Sequence, residues 1–147
     1  MVGLPCSGKT TWARQLAEQH HAVRLTPDEW HVDLFGQDAD DPQHDERHST
    51  IERLMWQVAQ QLLARDIDVV LDFGFWSAAE WQDFRERAAA LAATTSVHYA
   101  AATAEELLDR LAKRNADLPP GAFAIRPEAL RYWMTLFEPP TAEELAH

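Results

Sequence analysis

The chain has 147 residues, a net charge of −11 and 46% hydrophobic residues; this predicts one folded domain over 1–147 and excludes an intrinsically disordered polymer. The acidity disfavours nucleic acid as a partner, since Lys9 and Lys113 are the only lysines available to neutralise phosphates. Without an apolar run of 18 residues or a charged-then-apolar leader, and with Cys6 as the single cysteine, the expectation is a cytoplasmic monomer or homodimer with no membrane partner and no internal disulfide.

The chain opens on Gly3-Leu4-Pro5-Cys6-Ser7-Gly8-Lys9-Thr10, a full G-x-x-x-x-G-K-[ST] phosphate-binding loop. Gly3 and Gly8 permit backbone angles that strain other residues and allow close approach to a phosphate. The loop Pro5-Cys6-Ser7-Gly8, in which every residue but Pro5 carries an N–H, and the start of the following helix, through Thr11, form a nest of positive dipole for the α- and β-phosphates of ATP. Lys9 is expected to reach the β/γ oxygens and the Thr10 hydroxyl to ligate Mg²⁺. A strand of about five residues normally precedes such a loop. Only Met1 and Val2 stand there, so the central strand reads as truncated or supplied otherwise. If it is truncated, adding five or six apolar residues upstream should raise the melting temperature.

Lys9 to Gln19 reads as the first helix, with Trp12 and Leu16 facing the core, and Ala22–Leu25 as a short strand. Thr26-Pro27-Asp28-Glu29 is a helix-start signal in which Thr26 caps and Glu29 completes a capping box. Asp28 thereby falls in a first helical turn at the carboxyl end of a strand, where open α/β sheets bind ligands. The polar, acidic residues 36–48 read as a mobile loop. Ile51, Leu54, Met55, Val58 and Leu62 then space out an amphipathic helix that ends near Arg65. Ile67 to Asp72 is the clearest strand. Ser77 and Thr103 each open a helix with a capping box, flanking a third strand at Val97–Ala100. A loop with Pro119-Pro120-Gly121 leads to a last helix from Pro127, on which Leu130, Trp133, Met134 and Phe137 form the buried stripe. Strands alternating with helices predict an α/β fold with a parallel sheet covered on both faces.

Several residues carry both a chemical and a purely structural reading. Asp28 is the candidate general base for deprotonating an acceptor hydroxyl, or an ordinary acid stabilising a helix start. Asp72 closes a buried strand, where a Mg²⁺-bound water, a substrate hydroxyl or a loop hydrogen bond would offset its desolvation. Arg110 and Arg114 share a helix face and suit a lid, around 110–126, that closes on the triphosphate; such pairs also occur as solvated surface. Arg126 is a third lid candidate. Phe73, Phe75 and Trp76 either wall an acceptor pocket or pack in the core. His44 and His48 stand at i, i+4, which suits a metal, with no third ligand evident in the sequence. Cys6 lies inside the loop, where oxidation would block ATP.

With these residues placed, the chain resembles the P-loop kinases that include phage polynucleotide kinase, chloramphenicol phosphotransferase and the zeta toxins, and the small bacterial AAA-family ATPases of this kinase type. The resemblance rests on Gly3–Arg14, Thr26–Trp30, Asp72, Lys113-Arg114-Asn115 and Ile125–Tyr132, and runs nearly end to end. It implies a P-loop three-layer sandwich, a catalytic base at Asp28, an acceptor- or metal-organising role for Asp72 and phosphate contacts from Arg114. An arginine that contacts the substrate's terminal phosphate in the polynucleotide kinases is His31 here, and Ala116-Asp117-Leu118 lack their further lid arginine. The expectation is an ATP- and Mg²⁺-dependent phosphotransferase acting on a hydroxyl of a small metabolite, nucleoside or antibiotic. A polynucleotide 5′-kinase and a non-catalytic ATP-binding regulator or toxin-like protein are the alternatives.

Overall fold

Two parallel strands hold the frame of the molecule. A computed structural model describes residues 1–145. In chain order its elements are α1 (Lys9–Gln19), β1 (Val23–Leu25), α2 (Pro27–Phe35), α3 (His44–Leu63), β2 (Val69–Leu71), α4 (Ala78–Ala89), α5 (Ala104–Ala116), α6 (Pro127–Leu136) and α7 (Ala142–Leu145). Val23, Arg24 and Leu25 lie opposite Val69, Val70 and Leu71 in a parallel register. Val2 extends this sheet as a single residue that bridges Phe75 on one side and Tyr99 on the other, both in parallel. Its N–H donates to His98 O at 2.9 Å, and its carbonyl accepts from Ala100 N at 3.0 Å. The expected third strand is thus reduced to a bridge at Tyr99, because the neighbour it pairs with is itself one residue long.

Side chains alternate across a strand, and β2 uses both faces. Val70 packs with Met1, Ala13 and Leu16 under α1, while Val69 and Leu71 pack with Ile51, Met55 and Ala59 of α3. A separate core joins Leu4 of the phosphate loop to Leu107 and Leu111 of α5 and Leu130 of α6. The result is an α/β fold with helices on both sides of a small parallel sheet.

Local sequence signals explain most of the helix starts. Ser77 and Thr103 each form both halves of a capping box, with Glu80 and Glu106 respectively. Other expectations are corrected. Thr26 makes no capping hydrogen bond; Arg24 instead bonds to Thr26 Oγ1 and to Glu29 Oε1, at 2.7 Å for the latter, and occupies both members of the expected box. Helix α3 begins at His44, so His44–His48 are helical rather than loop. Asp45 and Glu46 fall in its first turn, where the helix dipole favours acids. Trp12 does not face the core: it is 36% exposed and meets the His98 ring edge-on.

Candidate active site

The phosphate loop folds in the way its glycines require. Gly3 has φ 141°, and a Cβ there would lie 2.9 Å from both Ala100 O and Ser7 Oγ, so no larger residue fits. Cys6 (φ 67°) and Gly8 (φ 97°) are left-handed, the kind of change in backbone hand from which anion-binding nests are built, while the Ser7 N–H between them donates to Leu4 O at 3.2 Å. Helix α1 starts at once, with no side chain capping its N-terminus, so its first N–H groups remain available to an anion. Ser7 Oγ is buried with no hydrogen-bond partner among the described residues.

Lys9 keeps some exposed surface, but its ammonium turns inward and donates to Leu4 O at 2.9 Å. Gly74 makes room for it, since a Cβ there would stand 3.2 Å from Lys9 Cε. Burial pushes the Lys9 pKa below its ordinary value; the Asp72 and Asp28 carboxylates oppose that shift, and Arg114 adds to it. Two carboxylates and a guanidinium therefore act on the ammonium of the loop.

The Asp72 side chain is 2% exposed and pairs with Arg24 Nη1 at 3.1 Å. Its desolvation is offset by this neighbouring-strand cation, a partner absent from the sequence expectation of water, hydroxyl or loop. Arg24 continues to Glu29, which Arg14 also reaches at 3.2 Å. Burial would raise the Glu29 pKa, but the hydrogen bonds and charges of Arg24 and Arg14 bring it below the usual value. Thr10 sits in the first turn of α1, next to Lys9.

Asp28 is exposed in the first turn of α2. Its Oδ1 lies 3.9 Å from His48 Nε2, which is also 3.6 Å from Glu52 Oε1. Burial chiefly lowers the His48 pKa, despite the pull of Asp28. Glu52 is pushed up to about 7 by burial and by the charges of Glu80 and Asp28. Neither His48 nor Glu52 was marked as a partner of Asp28 in the sequence; Glu52 at i+4 from His48 was the available signal.

Behind Asp28 the structure supplies what the His44/His48 pair lacked. His31, fully buried on α2, brings Nδ1 to 3.1 Å from His48 Nδ1 and stacks on His44 with ring centroids 4.5 Å apart. Asp38 lies at the back of the group. Its Oδ1 is 2.7 Å from His44 Nδ1 and 2.8 Å from His31 Nε2, and its Oδ2 accepts from Arg47 Nη1 at 2.7 Å. The His31 approach is out of line for a hydrogen bond. Burial opposes ionisation of Asp38, but contacts from His44, Arg47 and His31 hold its carboxyl well below the usual range.

The arginines of α5 reach the phosphate loop. Arg110 Nη1 lies 3.4 Å from both Cys6 O and Ser7 O, and Arg114 Nη1 lies 3.6 Å from Cys6 Sγ. Arg114 also donates to Phe123 O at 3.1 Å, while Asn115 Nδ2 donates to Ile125 O at 2.7 Å. Gln37 ties the same loop to α2 by donating to Ala122 O at 2.7 Å and accepting from Ala124 N at 3.0 Å. Gly121 rests on Glu29, with a hypothetical Cβ only 2.9 Å from Glu29 Cγ. Arg126 is directed elsewhere, to the exposed Asp40 at 3.2 Å. Phe73 and Phe75 pack on Phe84 of α4 at 5.5 and 5.1 Å, and Trp76 on Trp133 at 5.3 Å, so these aromatics serve packing.

Compared with known proteins, residues 1–140 match a family model described as an AAA domain. No curated protein and no solved structure matches the chain.

Proposed function

The chain belongs to the AAA-domain family, and from that membership and the site we propose that it is an ATP- and Mg²⁺-dependent kinase that phosphorylates a hydroxyl of a small molecule. The observation that carries this reading is the phosphate loop itself, with the Lys9 ammonium on Leu4 O at 2.9 Å and Arg110 Nη1 from α5 3.4 Å from both Cys6 O and Ser7 O. Phosphoryl transfer is governed by positioning and charge neutralisation. The amides of Gly3–Thr11 would hold the phosphates, with Lys9, Arg110 and Arg114 neutralising charge that develops on the transferred group. Thr10 and Asp72 would hold Mg²⁺, which would supply positive charge against the phosphates. Arg24 already pairs with Asp72 Oδ2 at 3.1 Å, so Asp72 would bring a partly matched charge to that role. Asp28 would orient the acceptor hydroxyl and take its proton, with His48 and Glu52 behind it.

A single-stranded nucleic acid end is a poorer acceptor in this reading. His31, where the polynucleotide kinases have an arginine, is buried against Asp38 and His48 and is not directed outward to a terminal phosphate. The test is incubation with γ-labelled ATP, Mg²⁺ and pooled hydroxyl acceptors. Transfer to a small molecule that is lost in Asp28→Asn supports the reading. Transfer only to oligonucleotide 5′ ends supports the polynucleotide alternative, and ATP binding without transfer to any acceptor supports a regulator.

A further inference from the structure

We propose that His31, His44 and His48 form a binding site for one divalent transition metal of the zinc class, where α2 meets α3. The site is separate from the Mg²⁺ that accompanies ATP and does not depend on the kinase reading. One ring nitrogen from each histidine lies within 4.8 Å of those of the other two. Around a tetrahedral zinc with Zn–N of 2.0–2.1 Å, ligand nitrogens stand about 3.4 Å apart. His31 Nδ1 and His48 Nδ1, at 3.1 Å, already have that spacing. The remaining contraction is on the order of 1 Å, within reach of a ring rotation.

The outward nitrogens carry the argument further. Metal-bound histidines almost always present their second nitrogen to a carboxylate, a carbonyl or water, which fixes tautomer and ring plane. Here two of the three have a carboxylate close to that position, Asp38 Oδ1 at 2.8 Å from His31 Nε2 and 2.7 Å from His44 Nδ1, and Glu52 Oε1 stands farther off, 3.6 Å from His48 Nε2. This leaves His31 Nδ1, His44 Nε2 and His48 Nδ1 to face the metal. His31 Nε2 is a fully buried polar atom that, although 2.8 Å from Asp38 Oδ1, has no hydrogen-bond partner among the described residues. Three imidazoles leave a fourth position for water, the open arrangement of a zinc site that is not purely structural. Phe123 meets His31 and His44 edge-on, each at 5.2 Å, and its carbonyl holds Arg114. A metal here would therefore fix the loop that positions a phosphate-loop arginine.

The experiment is equilibrium dialysis of the purified chain against zinc chloride, and optical titration with cobalt chloride, both without nucleotide. The expected result is about one zinc per chain, the intense visible ligand-field bands of four-coordinate cobalt, and a melting temperature raised by about 5–10 °C at a hundredfold excess over Kd. His44→Gln and His48→Gln should each weaken uptake at least tenfold. Asp38→Asn should weaken it by about 10–100-fold, and His98→Gln, whose ring packs on Trp12, should leave it unchanged. Failure of the wild-type chain to retain stoichiometric zinc overturns the proposal even if a variant fails to fold. Undiminished uptake by folded His44→Gln and His48→Gln also overturns it. Neither result bears on ATP-dependent transfer, which is measured separately.

Discussion

Asp28 and Lys9 divide the proposed chemistry between them, and each can be removed with a different consequence. Replacing Asp28 with Asn should lower label transfer about 10²–10⁴-fold, the range for a positioned general base, while MgATP still binds; kcat and Kd measured on one preparation check this. Lys9→Met should diminish the nucleotide-dependent rise in melting temperature at a fixed MgATP concentration. Without nucleotide, the variant should be no less stable than the wild type at neutral pH, because burial opposes the Lys9 charge. The sign follows from proton linkage. With its folded pKa below the unfolded value of 10.5, Lys9 binds fewer protons folded than unfolded across that window, so wild-type stability rises with pH there. The gap between Lys9→Met and wild type should narrow as pH rises through the window, as followed by urea unfolding.

Elements make some of these residues legible in sequence and hide others. The Ser77 and Thr103 capping boxes were readable because every participant lies within four residues, and the phosphate loop because its motif is one contiguous stretch, Gly3 to Thr10. Ser77→Ala and Thr103→Ala should each cost about 1 kcal/mol, as shifts in urea midpoint. Thr26 and Glu29 carry the same signature but fail to cap, because Arg24, only two residues before Thr26, takes both. The pairing of Arg24 with Asp72 is between strands, across 48 residues of sequence, and no local pattern announces it. Removing one member leaves a buried charge unmatched, so Arg24→Ala should cost about 3–5 kcal/mol, and adding Asp72→Leu should recover much of it. The histidine group hides for a similar reason. His44 and His48 advertise themselves on one helix, whereas His31 belongs to α2 and joins them only through helix packing. Polar composition also concealed the start of α3, where acids at a helix N-terminus look like a loop.

At the scale of the whole molecule, the two sides of the site are anchored in different cores. Leu4 and α5 belong to the cluster around Leu130, whereas Leu25, just ahead of Asp28, belongs to the cluster around Met55. Both central residues are fully buried, so Leu130→Ala and Met55→Ala should each cost about 2–5 kcal/mol. The alternation of strand and helix foretold the α/β class, but the extent of the sheet was not readable, since pairing by a lone Val2 leaves no periodic pattern. The central claim is that an amide-lined loop grips a triphosphate with the Asp28 carboxylate facing it. Calorimetric titration of MgATP into wild type, Lys9→Met and Asp28→Asn tests that most directly. Loss of a charge-assisted contact should weaken binding to Lys9→Met by about 10–100-fold, and removal of a facing negative charge should tighten binding to Asp28→Asn a few-fold. Wild-type affinity in both variants would contradict the account.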